Sequence, residues 1–209
     1  MKRIIIDRKL SANEFINVLN LLKAGNLVVY PTDTAYAIGA SATNSNAISK
    51  LLSYKGKRDN KPLSIMVSSI DMAKNFVSIN SVQEMFLNQY KYMGLTAVLS
   101  TKNHSNLDKK IILDNSVAIR ISNILFIKKL ISDLNSPITA TSANISFGST
   151  PYSIDKLLES TPQDKLDMIS TIIDIGEIKI GNVSSIFDIR DKPFKVIRQG
   201  LLKLPKDYF

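Results

Sequence analysis

The chain has 209 residues, of which 44% are hydrophobic and 22% charged, and its 27 basic and 18 acidic side chains give a formal net charge of +9. This composition is typical of a folded chain with a sizeable core and excludes extensive disorder. The lack of cysteine excludes disulfides, thiolate chemistry and cysteine-based zinc sites, and the single histidine, His104, argues against a Ser-His-Asp triad.

The sequence contains no signal for a membrane. No apolar run reaches the roughly 20 residues that span a bilayer, and residues 1–7 (MKRIIID) hold too short an apolar stretch for a signal peptide. We therefore expect a cytosolic protein. The positive charge favours polyanionic partners such as nucleic acid or nucleotide phosphates. Its spread along the whole chain is equally typical of a solvated basic surface.

Helices and strands alternate through the first half of the chain. Ser11–Glu14 has the capping-box pattern, which predicts a helix that ends at Gly25. Asn44 or Ser45 is predicted to cap a second helix, whose last turn falls at Lys55. In chain order, the predicted elements are helix 11–25, strand 27–30, helix 44–56, the basic turn 55–62 and strand 63–67.

The second half continues this alternation. Ser81–Glu84 is another capping-box pattern, and the polar stretch 102–115 predicts a loop. In the strand 117–121, the two-residue period places the large apolar side chains on one face and Arg120 on the other. The remaining predicted elements are strand 95–99, helix 124–134, strand 137–140, a short helix capped by Ser153, and strands 171–175, 185–189 and 195–198. Together these elements predict a single α/β domain on a twisted mixed sheet with flanking helices.

Three polar segments could carry chemistry. Pro31–Thr34 directly follows the first strand and Thr139–Asn144 ends another, and strand ends are where open α/β sheets form ligand crevices. The basic turn 55–62 adds four clustered cations between them, and hydroxyls beside cations favour a phosphate-bearing ligand. Each segment also has an ordinary interpretation. The first two are common turn and capping residues, and the third is a typical solvated loop.

The combination is more specific than its parts, because the segments occur in one order. They are 30–40 (YPTDTAYAIGA), 55–63 (KGKRDNKPL), 117–121 (VAIRI), 140–146 (ATSANIS), 184–188 (SSIFD) and 198–200 (RQG). This series resembles the YrdC/Sua5 family, and the resemblance runs from about residue 10 to residue 201. It implies one YrdC-like domain over residues 1–209, with a concave basic cleft and without an added C-terminal Sua5 domain.

The resemblance also implies an activity. Members of the family are nucleotidyltransferases that condense L-threonine, bicarbonate or CO2, and ATP into L-threonylcarbamoyladenylate and pyrophosphate, usually with Mg2+. The product serves N6-threonylcarbamoyladenosine modification at position 37 of tRNA, and the tRNA receives it through a separate transferase. An alternative of another class is a non-catalytic RNA-binding module of the same fold. A third interpretation is a carbamoyl-transfer domain within a larger assembly.

By the same resemblance, Thr32, Arg120 and Thr141 would bind threonine, while Lys55 and Lys57 would be catalytic. ATP would be bound by Lys55, Lys57, Arg58, Lys61, Ser116, Ser142, Asn144, Thr150, Ser185 and Arg198. No protein ligand for the metal is assigned. The chain departs from the family pattern in three places. Lys57 stands where an arginine is usual, residues 91–94 (KYMG) replace a Trp-Pro-Gly-Pro stretch, and Met66 replaces the histidine of some members.

Overall fold

The computed structural model describes residues 1–6, 10–57, 62–179, 183–205 and 208. Its helices are α1 (Ala12–Lys23), α2 (Ser45–Lys55), α3 (Ile70–Ala73), α4 (Ser81–Tyr90), α5 (Leu125–Leu134), α6 (Ile154–Ser160) and α7 (Gln163–Leu166). Its strands are β1 (Lys2–Ile5), β2 (Leu27–Pro31), β3 (Tyr36–Gly39), β4 (Ser64–Val67), β5 (Leu95–Ser100), β6 (Ser116–Ile121), β7 (Ile138–Thr139), β8 (Thr141–Ser142), β9 (Ile169–Asp174), β10 (Ser185–Asp188) and β11 (Lys195–Arg198).

The described strands form two sheets, each with parallel and antiparallel pairs. One sheet has five strands in the order β1-β9-β2-β3-β8, and the other has six in the order β11-β10-β5-β6-β4-β7. In the first, β9 pairs in parallel with both β1 and β2, while β3 is antiparallel to its neighbours. The predicted α/β class with mixed strands and flanking helices is confirmed. The strands are divided between two sheets, where the sequence predicted one.

The two sheets meet at the second polar segment. Strands β7 and β8 are separated by Ala140 alone, yet β7 pairs with β4 and β8 pairs with β3. The segment Thr139–Asn144 therefore passes from the six-stranded sheet to the five-stranded one. This crossing places its hydroxyl and amide side chains between the ends of strands from both sheets.

Side-chain caps mark the start of several helices. The Ser11 side chain accepts a hydrogen bond from the Glu14 N–H, and the Glu14 carboxylate accepts one from the Ser11 N–H, which confirms the predicted box. Asn44 caps α2. The box at α4 lies one residue earlier than predicted, because Asn80 and Gln83 make the reciprocal bonds. Each such cap contributes about 1 kcal/mol.

Strand β2 lies between the two hydrophobic clusters of the core. Leu27 and Val29 pack into the larger cluster, whereas Val28 and Tyr30 pack into the smaller one, which also contains residues of α1 and α5. Burial on both faces explains why residues 27–30 form a continuous apolar run rather than an alternating pattern. Within the described ranges, no helix is both long enough and apolar enough to cross a membrane.

Candidate active site

A cavity of about 510 Å3 lies between the two sheets. It is lined by residues of β3 and β8 from the five-stranded sheet, and by residues of β4, β5, β6, β10 and β11 from the six-stranded sheet. The predicted site residues on its wall are Thr32, Lys55, Arg120, Thr141, Ser142, Asn144, Thr150 and Arg198. Segments far apart in the chain therefore converge on one space, and its size is typical of small-molecule sites.

The Pro31–Thr34 turn is closed by a backbone hydrogen bond from the Thr32 N–H to the carbonyl oxygen of Ala35 at 3.0 Å and by the Thr32 hydroxyl. Thr32 Oγ1 donates to the carbonyl oxygen of Ala35 at 2.7 Å and accepts from the backbone N–H groups of Thr34 and Ala35 at 3.2 and 3.1 Å. The ordinary interpretation of this segment as a self-bonded turn is thus correct for its local structure. The same turn also presents Thr32 and Thr34 to the cavity.

The Pro31–Thr34 turn holds the side chain of Arg120 in place. Its guanidinium forms an ion pair with Asp33 through Nη2 and donates from Nη1 to Thr34 Oγ1 at 3.0 Å. Ala118 and Arg120 line the cavity, which confirms that Arg120 points away from the apolar face of β6. Since Arg120 is only 7% exposed, its orientation is set before any ligand binds. A planar fork held in this way suits a carboxylate.

Lys55 is buried, and its side chain links α2 to the Thr139–Asn144 segment. Its ammonium group donates to the carbonyl oxygen of Ser142 at 2.9 Å and to that of Asn144, and the residue is only 4% exposed. The C-terminal end of α2, where Lys55 lies, favours a cation as well. The solvated-loop interpretation of the basic turn therefore fails at Lys55. It holds at Lys57, which is exposed and lies off the cavity wall, whereas Arg58 and Lys61 lie outside the described residues.

Asn144 shapes the loop that follows β8. Its amide nitrogen donates to the carbonyl oxygens of Ile145 and Gly148 at 2.7 and 2.6 Å. Its amide oxygen is buried and finds no hydrogen-bond donor in the part of the chain that the structure describes. The curled loop brings Phe147 and Thr150 to the cavity wall. An unsatisfied buried acceptor is costly, and on a cavity wall a bound ion, water or ligand group can supply the missing partner.

Arg198 grips the start of β10 from the edge strand β11. Its Nε and Nη2 donate to the carbonyl oxygen of Ser184 at 3.0 and 2.7 Å, and Nη2 also donates to Ser184 Oγ at 2.9 Å. Arg198 as a whole is exposed, but desolvation of its guanidinium at the cavity wall lowers its pKa, and the positive charge of Arg120 lowers it further. The guanidinium of Arg120 therefore lies close enough to Arg198 to lower its pKa. Two neighbouring positive charges on one wall favour a bound anion.

Besides Lys57, two predicted residues lie off the cavity wall. Ser185 is fully buried, and its hydroxyl bonds to the loop at Gly200 and Leu202. Ser116 stands at the beginning of β6, and its hydroxyl donates to the carbonyl oxygen of Leu113. Ser184, which precedes Ser185 in the chain, lines the cavity instead. Strand alternation requires one of the two adjacent serines to face inward, but the sequence contains no signal for which one.

The sequence reasoning also missed residues on the wall that carry no charge. Thr96 lines the cavity from β5, and its hydroxyl donates to Ser184 Oγ at 2.9 Å. Tyr36 lines it from β3, and burial raises the pKa of its hydroxyl. The two-residue period groups Thr96 with Val98, which is also on the wall. That signal identifies a face, but only the pairing of β5 with β6 shows that this face meets Arg120.

Comparison with known proteins gives a consistent result. The model of the Sua5, YciO and YrdC family, described as "Telomere recombination", matches residues 20–200. A threonylcarbamoyl-AMP synthase of Pyrococcus abyssi is 32% identical over 186 residues, which are 88% of this chain and 53% of that protein. A threonylcarbamoyl-AMP synthase of Wigglesworthia glossinidia brevipalpis is 28% identical over 198 residues, which are 92% of this chain and 97% of that protein.

A solved structure shares the architecture as well. The crystal structure of Pyrococcus abyssi Sua5 complexed with L-threonine superposes with a TM-score of 0.86 at 29% identity. The superposition covers 96% of this chain and 58% of that one. This chain therefore spans a little more than half the length of the Pyrococcus protein, and it spans nearly all of the Wigglesworthia protein.

Proposed function

This chain belongs to the Sua5, YciO and YrdC family, and on that premise we propose that it is an L-threonylcarbamoyladenylate synthase. The proposed reaction joins L-threonine, bicarbonate or CO2, and ATP into threonylcarbamoyl-AMP with release of pyrophosphate. The names of the Pyrococcus and Wigglesworthia relatives support this activity, and the threonine complex of the Pyrococcus structure supports the amino acid as a substrate.

The observation that carries the proposal is the convergence of three cations on one cavity. Lys55, Arg120 and Arg198 come from α2, β6 and β11, and all three line the same space together with threonine and serine hydroxyls. A nucleotide triphosphate and an amino acid are both anionic at one end, so a site that holds them side by side needs several positive groups. The hydroxyl groups supply the directional hydrogen bonds that orient neutral parts of the ligands.

The chemistry requires positioning more than a covalent intermediate. The uncharged amine of threonine adds to CO2, forming a C–N bond and releasing a proton, and a carbamate oxygen then attacks the α-phosphorus of ATP. The bond from that phosphorus to the bridging oxygen breaks, and pyrophosphate leaves. Holding the two anions together supplies much of the rate enhancement, and cations neutralise the charge that develops on the phosphates.

Roles follow from where the side chains lie. We assign Arg120 to the threonine carboxylate, because Asp33 and Thr34 hold its guanidinium against the cavity. Thr32 and Thr141 complete the threonine subsite. The phosphates are assigned to Lys55 and Arg198, with Ser142, Ser184, Asn144 and Thr150 as hydrogen-bonding groups. Lys57 keeps its proposed role only if a bound nucleotide reaches the exposed turn that follows α2.

Mg2+ is proposed to enter with ATP. Mg2+ usually keeps several waters and binds through substrate phosphates together with one or two protein groups. The described residues contain no group of three or more His, Cys, Asp or Glu side chains that could hold a metal. The unsatisfied amide oxygen of Asn144 is a hard acceptor that fits the ion or one of its waters. When bound, Mg2+ would neutralise charge on the phosphates.

The product is proposed to serve tRNA modification, with a separate transferase passing the threonylcarbamoyl group to adenosine 37. Because ATP, threonine and tRNA are all cytosolic, we propose that the enzyme works there. The net charge of +9 also suits direct contact with RNA, which is the basis of the binding-module alternative. A steep salt dependence of RNA affinity without nucleotide turnover would favour the binding-module alternative over the synthase.

The test is formation of product. The chain is incubated with L-threonine, bicarbonate, ATP and Mg2+, and both pyrophosphate and the AMP-linked product are measured. We expect both to require threonine. A folded preparation that releases no threonine-dependent pyrophosphate would contradict the proposal, and turnover with carbamoyl phosphate in place of threonine and bicarbonate would support the carbamoyl-transfer alternative.

A matched pair of arginine variants tests the phosphate subsite. Arg198→Met should raise the KM for ATP roughly 10- to 100-fold, because charge-assisted hydrogen bonds contribute about 1.5–3 kcal/mol, and the KM for threonine should change little. Arg190→Met is the control, since Arg190 is paired with Asp188 at 2.7 Å and lies off the cavity wall. Equal effects of the two variants on ATP would remove Arg198 from this role.

A further inference from the structure

Phe147 occupies an unusual position at the cavity. Its side chain is among the exposed large apolar groups of the chain, with 66% of the residue accessible, and it also lines the cavity wall. Its backbone has a φ of +67°. Bulky side chains rarely adopt this left-handed conformation, because Cβ crowds the following carbonyl group. The fold therefore holds an aromatic ring at the edge of the site at a cost in backbone strain.

The surrounding contacts impose this conformation. The Asn144 amide donates to the carbonyl oxygens of Ile145 and Gly148 on either side of Phe147. The N–H of Gly148 donates to the carbonyl oxygen of Ile145 at 3.1 Å, and the N–H of Ser146 donates to that of Lys55 at 3.0 Å. Strained residues persist where their surroundings over-determine them, and such residues concentrate at ligand clamps.

The chemistry of the site narrows what the ring could contact. The cations of the wall, Lys55, Arg120 and Arg198, account for the phosphates of ATP and the carboxylate of threonine. The adenine base remains, and it offers two apolar π-faces that gain most from stacking on an aromatic side chain. Threonine and bicarbonate are small and polar, and neither would benefit from an exposed ring. Asn144 and Thr150, already assigned to ATP, flank Phe147 in sequence.

We propose that Phe147 is the stacking plate for the adenine of ATP. This inference rests on the proposed function and adds a residue that the sequence reasoning did not include. The strained backbone turns the ring toward the cavity rather than into the core. The loop 144–150 would then bind both ends of the nucleotide, with the Asn144 side toward the phosphates and the ring of Phe147 against the base.

The test separates a loss of stacking from a loss of folding, because the glycine variant should weaken ATP binding without lowering stability. Phe147→Gly removes the ring and also relieves the left-handed strain, so the melting temperature should stay the same or rise while ATP affinity falls roughly 5- to 100-fold. Titration calorimetry on the full chain measures the affinity for ATP and for inorganic tripolyphosphate, which has no base. Tripolyphosphate affinity should not change, and Phe147→Tyr should recover the ATP affinity that the glycine variant loses.

Asn135→Gly is the matched control, because Asn135 has a φ of +53° at the end of α5 and lies off the cavity wall. It replaces another left-handed residue by glycine, at a position where Asn is better tolerated than Phe, and it should leave ATP binding intact. Unchanged ATP affinity in Phe147→Gly would overturn the stacking role, and so would an equal loss for ATP and tripolyphosphate. If the unsubstituted chain binds no ATP, the synthase proposal fails together with the stacking role. Intact ATP binding with an indifferent Phe147 refutes the stacking role alone.

Discussion

The adjacent serines 184 and 185 face opposite ways, and alanine substitution should separate their roles. The fully buried hydroxyl of Ser185 donates to the carbonyl oxygen of Leu202 at 2.6 Å and accepts from the N–H of Gly200 at 2.9 Å. Ser185→Ala leaves both backbone groups without these partners. An unsatisfied buried group costs about 1–3 kcal/mol. Because Gly200 is only half-buried, we expect a loss of about 2–4 kcal/mol.

The expected loss converts into a measurable shift in the melting temperature. For a chain of this size, each kcal/mol corresponds to about 2–4 °C, so Ser185→Ala should melt roughly 5–15 °C below the unsubstituted chain. Ser184→Ala removes the acceptor of the Thr96 hydroxyl and one of three hydrogen bonds from Arg198. The cost should still be smaller, about 1–2 kcal/mol, because Arg198 keeps both hydrogen bonds to the backbone oxygen of residue 184 and Thr96 lines the cavity. The same variant should weaken ATP binding several-fold, since a hydroxyl on the cavity wall is lost.

Thermal unfolding and ATP titration of both variants provide the comparison. The structure requires the larger stability loss at Ser185 and the larger affinity loss at Ser184. The opposite pattern would show that β10 is placed one residue out of register, with Ser185 on the cavity wall. Such a result would refute the assignment of the whole β10–β11 side of the site.

Two further predictions concern backbone space and pH. Gly200→Ala should destabilise the chain by about 1–3 kcal/mol or more and weaken ATP binding, because the new Cβ would lie 2.3 Å from the carbonyl oxygen of Val183; normal melting and ATP titration would contradict this. The pKa of Asp174 is low: burial opposes ionisation, but hydrogen bonds from Gly176, Arg3 and Tyr36 outweigh it. The ionised group therefore stabilises the fold above the ordinary carboxyl pKa of about 3.9, and this contribution is lost as the pH falls through the lower folded value. Urea unfolding of Asp174→Asn should show a shallower loss of stability below about pH 4 than the unsubstituted chain, and equal slopes would remove Asp174 from this role.

Local features of the fold could be predicted because they depend on neighbouring residues. Capping and helical spacing identified α1 and α2, and strand alternation placed Arg120 on the face opposite the apolar residues of β6. Long-range pairing could not be predicted in this way. β1 pairs with β9 across most of the chain, and β7 and β8 enter different sheets despite being adjacent. A two-residue period identifies the buried face of a strand, but it does not identify the strand with which it pairs.

The same division applies to the site. Eight of the predicted site residues lie on the cavity wall. The burial of Lys55 could not be foreseen, because it depends on the carbonyl oxygens of Ser142 and Asn144. The choice between Ser184 and Ser185 depends on the register of β10 against β5, which aligns Ser185 with Leu95. These contacts join residues that are distant in sequence, so no local pattern encodes them.

The two arginines of the cavity differ in how their charge is balanced. Arg120 meets the carboxylate of Asp33, so its charge is already compensated within the protein. Among the described residues, Arg198 is hydrogen-bonded only to neutral oxygens of Ser184, and its pKa is lowered by desolvation of the guanidinium and by Arg120. An anion at Arg198 relieves this cost without displacing a carboxylate, whereas an anion at Arg120 must share the guanidinium with Asp33. The strongly charged phosphates therefore gain more at Arg198, and the single carboxylate of threonine is better suited to Arg120.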